Sequence, residues 1–507
     1  MEFLFDDEWV DRKVGVRRVN GQPVKQQAPV LEPEMAWEAE GVHPCQAVLY
    51  DSEERRFKMW YRGIFPASLH PAWRIKPAGG QGVEPSEWAS LKRLSGVCYA
   101  ESDDGLRWRR PAVGLVEFQG SRENNILQVL PEGDSVFFNV TKDSHDPDTS
   151  RRYKALGFQY SYSADLDAPR GGYGIGVAFS PDGLNWTKRP GLVLTTKEVT
   201  DCDCILPRRD PATGKWVGFF RPRTQPKKRR FVGYSQSDDF EHWTLPRMLL
   251  TPDHSDDEWT EFYGMAATAV QEWRVGCLWV FHNNPAFSPM TTELAYSRDG
   301  RNYRRAMPRH EFVPLGPDGA PDSVMISVAA IVEHGNEFLL YYHGSNADHG
   351  SDRGLDRRSH SLPPAKTAHG EPHRSIFGVA RLPWGQFCGL RADGDGMVET
   401  KYLCNYGRSG VKALATVENG GAIAAEILDQ YGEPIPGWGA TSSRARADDR
   451  GISSLHWGRE ELIGRPDQTS DEKGTVGHVV KLRFHLHKAT LYGFQAGDTL
   501  ARPSEPV

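Results

Sequence analysis

The sequence predicts an all-β protein, a five-bladed β-propeller followed by a C-terminal β-sandwich. Three observations carry this. A short turn motif returns four times along the chain. Strand-like hairpins fall in step with it. The composition, with Gly 51, Pro 35, Trp 15, Tyr 17 and Phe 22, suits many short strands joined by many turns. At 507 residues the chain is also too long for one compact core, so a propeller plus a second domain fits its length.

The turn motif reads Ser102-Asp-Asp-Gly-Leu-Arg-Trp108, Ser180-Pro-Asp-Gly-Leu-Asn-Trp186, Ser237-Asp-Asp-Phe-Glu-His-Trp243 and Ser297-Arg-Asp-Gly-Arg-Asn-Tyr303. Its intervals, 78, 57 and 60 residues, are those of propeller blades with insertions. Asp-Gly supplies a tight turn with positive φ. The Ser and Asp side chains can bond nearby backbone amides. The closing aromatic re-enters the next strand and packs between blades. These aspartates are therefore structural, on outer hairpins away from the central axis.

Hairpins are expected at Pro44–Tyr50 with Phe57–Arg62, Ser135–Val140 with Arg152–Gln159, and Cys202–Leu206 with Trp216–Arg221. Phe262–Val270 with Val275–His282 and Ser323–Val332 with Glu337–His343 make the fourth and fifth. A degenerate outer hairpin near Val379–Leu390 completes blade five. After Gly396 the pattern changes, and Val398–Tyr402, Gly410–Thr416, Ala422–Leu428 and Val479–Leu486 read as sandwich strands. The expected domains are an N-terminal extension over 1–34, the propeller over 35–395, and the sandwich with a loose tail over 396–507. Phe65–Lys92 and Ser345–Arg374 read as long loops, the second as an active-site rim or lid.

The formal net charge of −6 argues against a dedicated nucleic-acid binder. The seven cysteines show no metal-ligand spacing and read as reduced structural thiols, which suits the cytoplasm. The first residues lack a signal-peptide pattern, and no apolar run reaches membrane-spanning length. No cofactor and no metal are expected. The partner expected is a small carbohydrate, with no nucleic acid and no membrane, and a homo-oligomer is compatible with the sequence.

In a propeller the innermost strands line a funnel, and the residues at their starts converge at one end. The carboxylates there are Glu38 and Glu40 in blade one, Asp134 in blade two, Asp201 and Asp203 in blade three, Glu261 in blade four and Asp322 in blade five. Crowded carboxylates raise one another's pKa, and glycoside hydrolysis needs such a pair, one acid and one carboxylate. Each also has a structural reading as a turn cap or solvated group. Glu261 stands out because Trp259-Thr-Glu-Phe-Tyr263 sets it beside aromatics that can desolvate it. Asp201 and Asp203 alternate onto one strand face, so either can be the one that reaches substrate. Arg221 extends an apolar strand and suits a carboxylate or a sugar hydroxyl. The basic run Lys227–Arg230 reads as a solvated hairpin tip. His43, His282, His343 and His349 lie near strand ends, and with Asn139, Tyr263, Asp322 and Arg221 they form the expected substrate-binding set.

Several of these segments together resemble bacterial proteins similar to the N-terminal domain of glycoside hydrolase family 32, within the five-bladed superfamily of families 32, 43, 68 and 130. The resemblance spans roughly residues 35 to 494. It is carried by Trp37-Glu38, Phe57-Lys-Met-Trp-Tyr-Arg-Gly63, Arg152-Tyr-Lys-Ala155, Thr200-Asp201, Phe219-Phe-Arg221, Glu261-Phe-Tyr-Gly264, Tyr341-Tyr-His-Gly344 with His349, and Leu482-Arg-Phe-His-Leu486. It implies a blade-four acid at Glu261 and a blade-three stabiliser at Asp201 or Asp203. The Asp-Pro-Asn motif expected in blade one is missing, and Glu38 and Glu40 are the nearest acids to its nucleophile. Arg209-Asp-Pro211 imitates a family motif, but its place after a strand marks it as a turn. The function expected is an exo-acting, furanosidase-like glycosidase. The alternatives are a phosphate-dependent glycoside phosphorylase and a non-catalytic carbohydrate-binding propeller.

Overall fold

The computed structural model describes residues 1–39, 41–66, 94–131, 139–160, 173–195, 206–222, 229–349, 367, 370, 372–406, 411–429, 431–442, 444–448, 450–457, 478–496 and 499–500. The chain forms two compact units. One holds Val24–His334 and Leu339–Arg381; the other holds Met1–Pro23, Gly335–Phe338 and Leu382–Val507.

The larger unit is a five-bladed propeller. Blade one is Gly41–Asp51, Arg56–Ile64, Leu94–Ser102 and Ile126–Pro131, paired in that order. Blade two runs Asn139–Lys142, Tyr153–Tyr160 and Tyr173–Ser180, edged by Thr187–Lys188 and Leu194–Thr195. Blade three is Leu206–Arg209, Trp216–Phe220, Val232–Ser237 and Arg247–Leu250. Blade four is Thr260–Val270, Trp273–His282, Met290–Ser297 and Arg304–Arg305. Blade five is Met325–His334, Glu337–Ser345 and Ser375–Pro383, with Val24–Lys25 at its edge. Each innermost strand touches the innermost strand of the next blade, and Met325–His334 touches Gly41–Asp51, which closes the ring.

Strand alternation explains why the blades need apolar residues on both faces. Along Arg56–Ile64, Phe57, Met59 and Tyr61 pack with Ala329, Leu339, Tyr341 and Phe377 of blade five. Trp60, from the opposite face, packs with Tyr99, Tyr153 and Ala155 toward blade two. Leu156 and Ile175 of blade two meet Trp216, Phe220 and Phe240 of blade three.

The turn motif has one geometry in all four places. In the first, Ser102 Oγ accepts from the Gly105 amide at 2.8 Å, and Asp104 Oδ1 accepts from the amides of Leu106 and Arg107 at 2.8 Å each. Equivalent bonds join Ser180 to Gly183, Ser237 to Phe240 and Ser297 to Gly300. Gly105, Gly183 and Gly300 have φ of 74°, 80° and 72°. Two of the motifs also bolt onto the preceding blade. Trp60 of blade one donates its indole N–H to Gly183 O at 2.7 Å, and Tyr341 of blade five donates to Gly105 O at 2.8 Å.

A second repeat sits at the C-terminal ends of the inner strands, on the same edge of the blades as the turn motif. Asp51 accepts from Lys142 of blade two at 2.6 Å, Asp143 from Arg209 of blade three at 3.0 Å, and Asp210 from Arg274 of blade four. Arg209-Asp-Pro211 is thus a turn, as read from the sequence, whose two charged residues bridge to the blades on either side.

The fifth blade departs from expectation. The hairpin sought near Val379–Leu390 does not form, because Cys388–Thr400 pairs within the smaller unit. The outer edge comes instead from the N-terminal segment. Gln26 N donates to Val379 O at 2.9 Å, and Phe377 N donates to Leu31 O at 2.9 Å. The expected extension over 1–34 is therefore divided. Its first part joins the smaller unit, where Glu2–Phe3 pairs with Phe494 and Gly493. The expected boundary at 395/396 is corrected for the same reason, since Leu382 onward packs with the smaller unit.

That unit is one sheet folded over its own core. Its long strands Cys388–Thr400, Val411–Leu428 and His478–Ala496 lie side by side and slip register midway, at Ala392/Asp395 and Val417/Ala422. Such irregularities bend a strand. Leu390, Leu491 and Val411 from one half share a core with Val398, Leu482 and Ile427 from the other, which makes the β-sandwich. Among the described residues no helix is long and apolar enough to cross a membrane.

Candidate functional site

The inner strand of blade four opens Thr260-Glu261-Phe262-Tyr263-Gly264. Glu261 stands opposite Phe281 in the neighbouring strand, and the register slips between Phe262 and Gly264. The slip leaves Tyr263 as the extra residue of a bulge, a device that re-aims side chains near sites. Glycine is needed at 264, because a Cβ there would sit 2.9 Å from the Trp279 ring.

Around this bulge the structure gathers a polar network from three blades. Glu261 is buried and accepts at both oxygens: Arg230 donates at 2.7 Å and Asn283 at 3.1 Å. The Arg230 guanidinium also lies 5.1 Å from the Tyr263 ring centre and 5.2 Å from that of Phe281. Arg221, itself buried, stacks on Tyr263 at 3.9 Å. The Tyr263 hydroxyl is 2.6 Å from His349 Nε2, on the segment that follows the second strand of blade five. His349 is fixed in turn by its amide, which donates to Ser288 O at 3.1 Å. Glu261, Tyr263, Arg221 and His349, chosen from sequence on separate grounds, therefore meet.

A second cluster joins blades one and five. The His43 and His343 rings lie 5.3 Å apart, and His343 Nε2 is 2.8 Å from Ser375 Oγ, which donates to Val42 O at 3.2 Å. Burial, with the nearby charges of His373 and Arg62, depresses the His343 pKa to about 4, so its imidazole stays neutral at physiological pH. A half-open groove of about 200 Å³ lies alongside, lined by Glu32, Gly41, His373, Arg374, Ser375 and Ile376.

Other expected residues stand elsewhere. Glu38 is 0% exposed and closes a short 3-10 turn. Its carboxylate accepts from Arg110 at 2.9 and 3.1 Å, from Tyr61 OH at 2.5 Å, and from the amides of Glu34 and Met35. Both oxygens are engaged and the side chain is buried, the geometry of a structural ion pair rather than of the expected nucleophile or base. Asp322 is corrected in the same sense: it accepts from Lys25 at 2.7 Å and Tyr342 at 3.0 Å, and so anchors the N-terminal edge strand rather than a sugar. His282 is half-buried, 3.5 Å from Thr291 Oγ1 and 3.7 Å from Asp257. Asn139 is fully buried in the inner strand of blade two. Glu40, Asp134, Asp201 and Asp203 lie outside the described residues.

No protein-family model matches the chain, and no curated protein matches it. Among solved structures it is similar to an N-acetylgalactosamine deacetylase from F. plautii in complex with blood group B trisaccharide. The identity is 15%, over 74% of this chain and 97% of that one, with a TM-score of 0.44. It is similar to a β-1,2-mannobiose phosphorylase from Listeria innocua, at 11% identity over 71% and 97% of the two chains and a TM-score of 0.43. It is also similar to a Bombyx mori GH32 β-fructofuranosidase, at 11% identity over 94% of each chain and a TM-score of 0.40.

Sequence reasoning missed Arg230, grouped with a solvated basic run. The signal was its neighbour: Phe231 and Val232 begin an apolar strand, which draws Arg230 into the blade. It also missed Asn283, one residue beyond the strand Trp273–His282. Among the described residues no group of three or more His, Cys, Asp or Glu is placed to hold a metal ion. What the blade-four cluster offers is a buried carboxylate held by two donors, an aromatic wall, and a phenol joined to an imidazole.

Proposed function

We propose that the chain is a glycoside hydrolase, exo-acting and furanosidase-like, with Glu261 as the general acid. The observation that supports this most is the carboxylate of Glu261, buried at the mouth of an inner strand and walled by Tyr263 and Phe281. In the reaction Glu261 gives its proton to the leaving oxygen as the glycosidic bond breaks. Asp201 or Asp203 is the candidate stabiliser of the oxocarbenium-like state, and Glu40 the remaining blade-one candidate for nucleophile or base. Arg230 stays on one Glu261 oxygen and orients the carboxyl group whose other oxygen carries the proton. The rings of Tyr263 and Phe281 flank the guanidinium in that position. The same proposal places the protein in the cytoplasm, acting on a small carbohydrate.

A phosphorylase is the second reading. It is favoured by the two guanidiniums, Arg221 and Arg230, that converge on one tyrosine ring, since phosphate needs such donors. The test is hydrolysis of aryl furanosides, aryl pyranosides and natural oligosaccharides, with and without phosphate. Phosphate-independent cleavage, lost at least a hundredfold in a normally folded Glu261→Gln variant, is the expected result. Cleavage that requires phosphate selects the phosphorylase. Full activity in Glu261→Gln removes Glu261 from the role. Sugar binding with no turnover of any substrate overturns the enzyme reading.

A further inference from the structure

We infer that Tyr263 is a positioning residue that holds Arg230 on Glu261, an inference that rests on the reading of Glu261 as the acid. Three contacts converge on the tyrosine. Its ring carries Arg230 at 5.1 Å and Arg221 at 3.9 Å, and its hydroxyl is tied to His349 Nε2 at 2.6 Å. Arg230 in turn donates to Glu261 at 2.7 Å. The guanidinium thus has a carboxylate at one end and an aromatic ring centred 5.1 Å from its carbon, and the ring keeps the long side chain from swinging away. The bulge makes this possible. Without the extra residue between Phe262 and Gly264, the aromatic would follow the strand's regular alternation instead of being re-aimed at the guanidinium. His349, Phe281 and Trp279 then wedge the ring from its edges and its far side, with centres 4.8, 5.4 and 6.5 Å away.

Around Glu261, the charged and titratable groups among the described residues are Arg221 and Arg230 from blade three and His349 with Asp348 after blade five. His282 with Asp257 flank its own strand. Of these, Arg230 is the ion partner of the carboxylate. A guanidinium fixed on one oxygen sets where the carboxyl group points, so loosening Arg230 loosens the aim of the acid.

The test uses full-length Tyr263→Leu, Tyr263→Phe and Arg230→Lys. Tyr263→Phe keeps the face and should stay within about threefold of the parent in kcat. Tyr263→Leu removes the face; it should lower kcat tenfold or more with KM within about twofold. Arg230→Lys, which keeps the charge but loses the planar stack, should copy the leucine variant. An unchanged kcat in Tyr263→Leu overturns the inference. So does a phenylalanine variant as impaired as the leucine one, since the hydroxyl would then be the working group. The infrared stretching band of the Glu261 carboxylate, taken as parent minus Glu261→Gln without substrate, separates the two levels. A band that Tyr263→Leu moves, in a protein that cleaves no glycoside, keeps the positioning role and removes the enzyme reading. Cleavage with an unmoved band does the reverse.

Discussion

Glu38 and Glu261 are both buried glutamates that accept from an arginine, yet they suit different work. Glu38 accepts five hydrogen bonds, two of them from Arg110, and Arg110 also reaches Glu34 at 2.7 Å and the Glu32 carbonyl. That pair fastens the turn Ala36–Glu38 to Tyr61 in blade one. Glu261 accepts two, and its arginine also lies beside two aromatic rings. Removing a partner from a buried ion pair strands the remaining charge, at a cost of about 3–5 kcal/mol. Glu38→Gln should fall near the lower end, since Glu34 still faces Arg110. Denaturant unfolding should show this loss, whereas Glu261→Gln keeps its fold and loses turnover. A Glu38→Gln protein as stable as the parent would return Glu38 to the candidates for chemistry. The sequence could locate both acids before inner strands. It could not tell them apart, because Arg110 is distant in the chain from Glu38 and arrives only through the fold.

At the level of the element, the four turn motifs were legible almost in full. The Ser and Asp bonds, the positive φ and the role between blades follow from local chemistry, which a short stretch of sequence contains. The exception is Phe240, which takes the glycine slot at φ 70° and is compensated by complete burial against Trp216 and Trp243. Asp299 shows what the motif does to an acid. Burial opposes its charge, but the amides of Asn302 and Arg301 and the Asn302 side chain outweigh it and hold its pKa at about 2, below the usual 3.8. A depressed carboxylate stabilises the fold fully above its unfolded pKa, and the contribution disappears as pH falls from about 4 through 2. Asp299→Asn should therefore flatten the acid slope of stability against pH in that window and leave the slope above pH 5 unchanged. An identical acid slope in the variant would mean that the amides are bonded no better in the folded turn than in the unfolded chain. The strands around the motifs were less legible. The bends inside Cys388–Thr400 and Val411–Leu428 depend on which partner each half finds.

Closing a ring of five blades needs contacts that no single blade contains. One is the edge strand Val24–Lys25, brought to blade five from the other end of the sequence and pinned by Lys25 to Asp322. Nothing local in residues 1–34 marks it as a blade strand, which is why it read as an extension. The other is the series of ion pairs from Asp51, Asp143 and Asp210 to cations of the following blade. Lys142-Asp143 and Arg209-Asp210 repeat one arrangement: the cation reaches back one blade and the next residue's carboxylate reaches forward. Asp210 and Arg274 are both nearly buried, so each is costly to leave alone. Asp210→Asn should destabilise the propeller by about 3 kcal/mol or more, and Arg274→Met by a similar amount. If the pair serves closure through shape, the double variant should recover most of the loss, because two uncharged side chains of similar size refill the junction. If the attraction between the charges holds blades three and four in register, either single variant already loses it, and the double variant should be about as unstable as the singles. Recovery in the double variant is the expected outcome, since desolvating both charges consumes much of what their attraction returns.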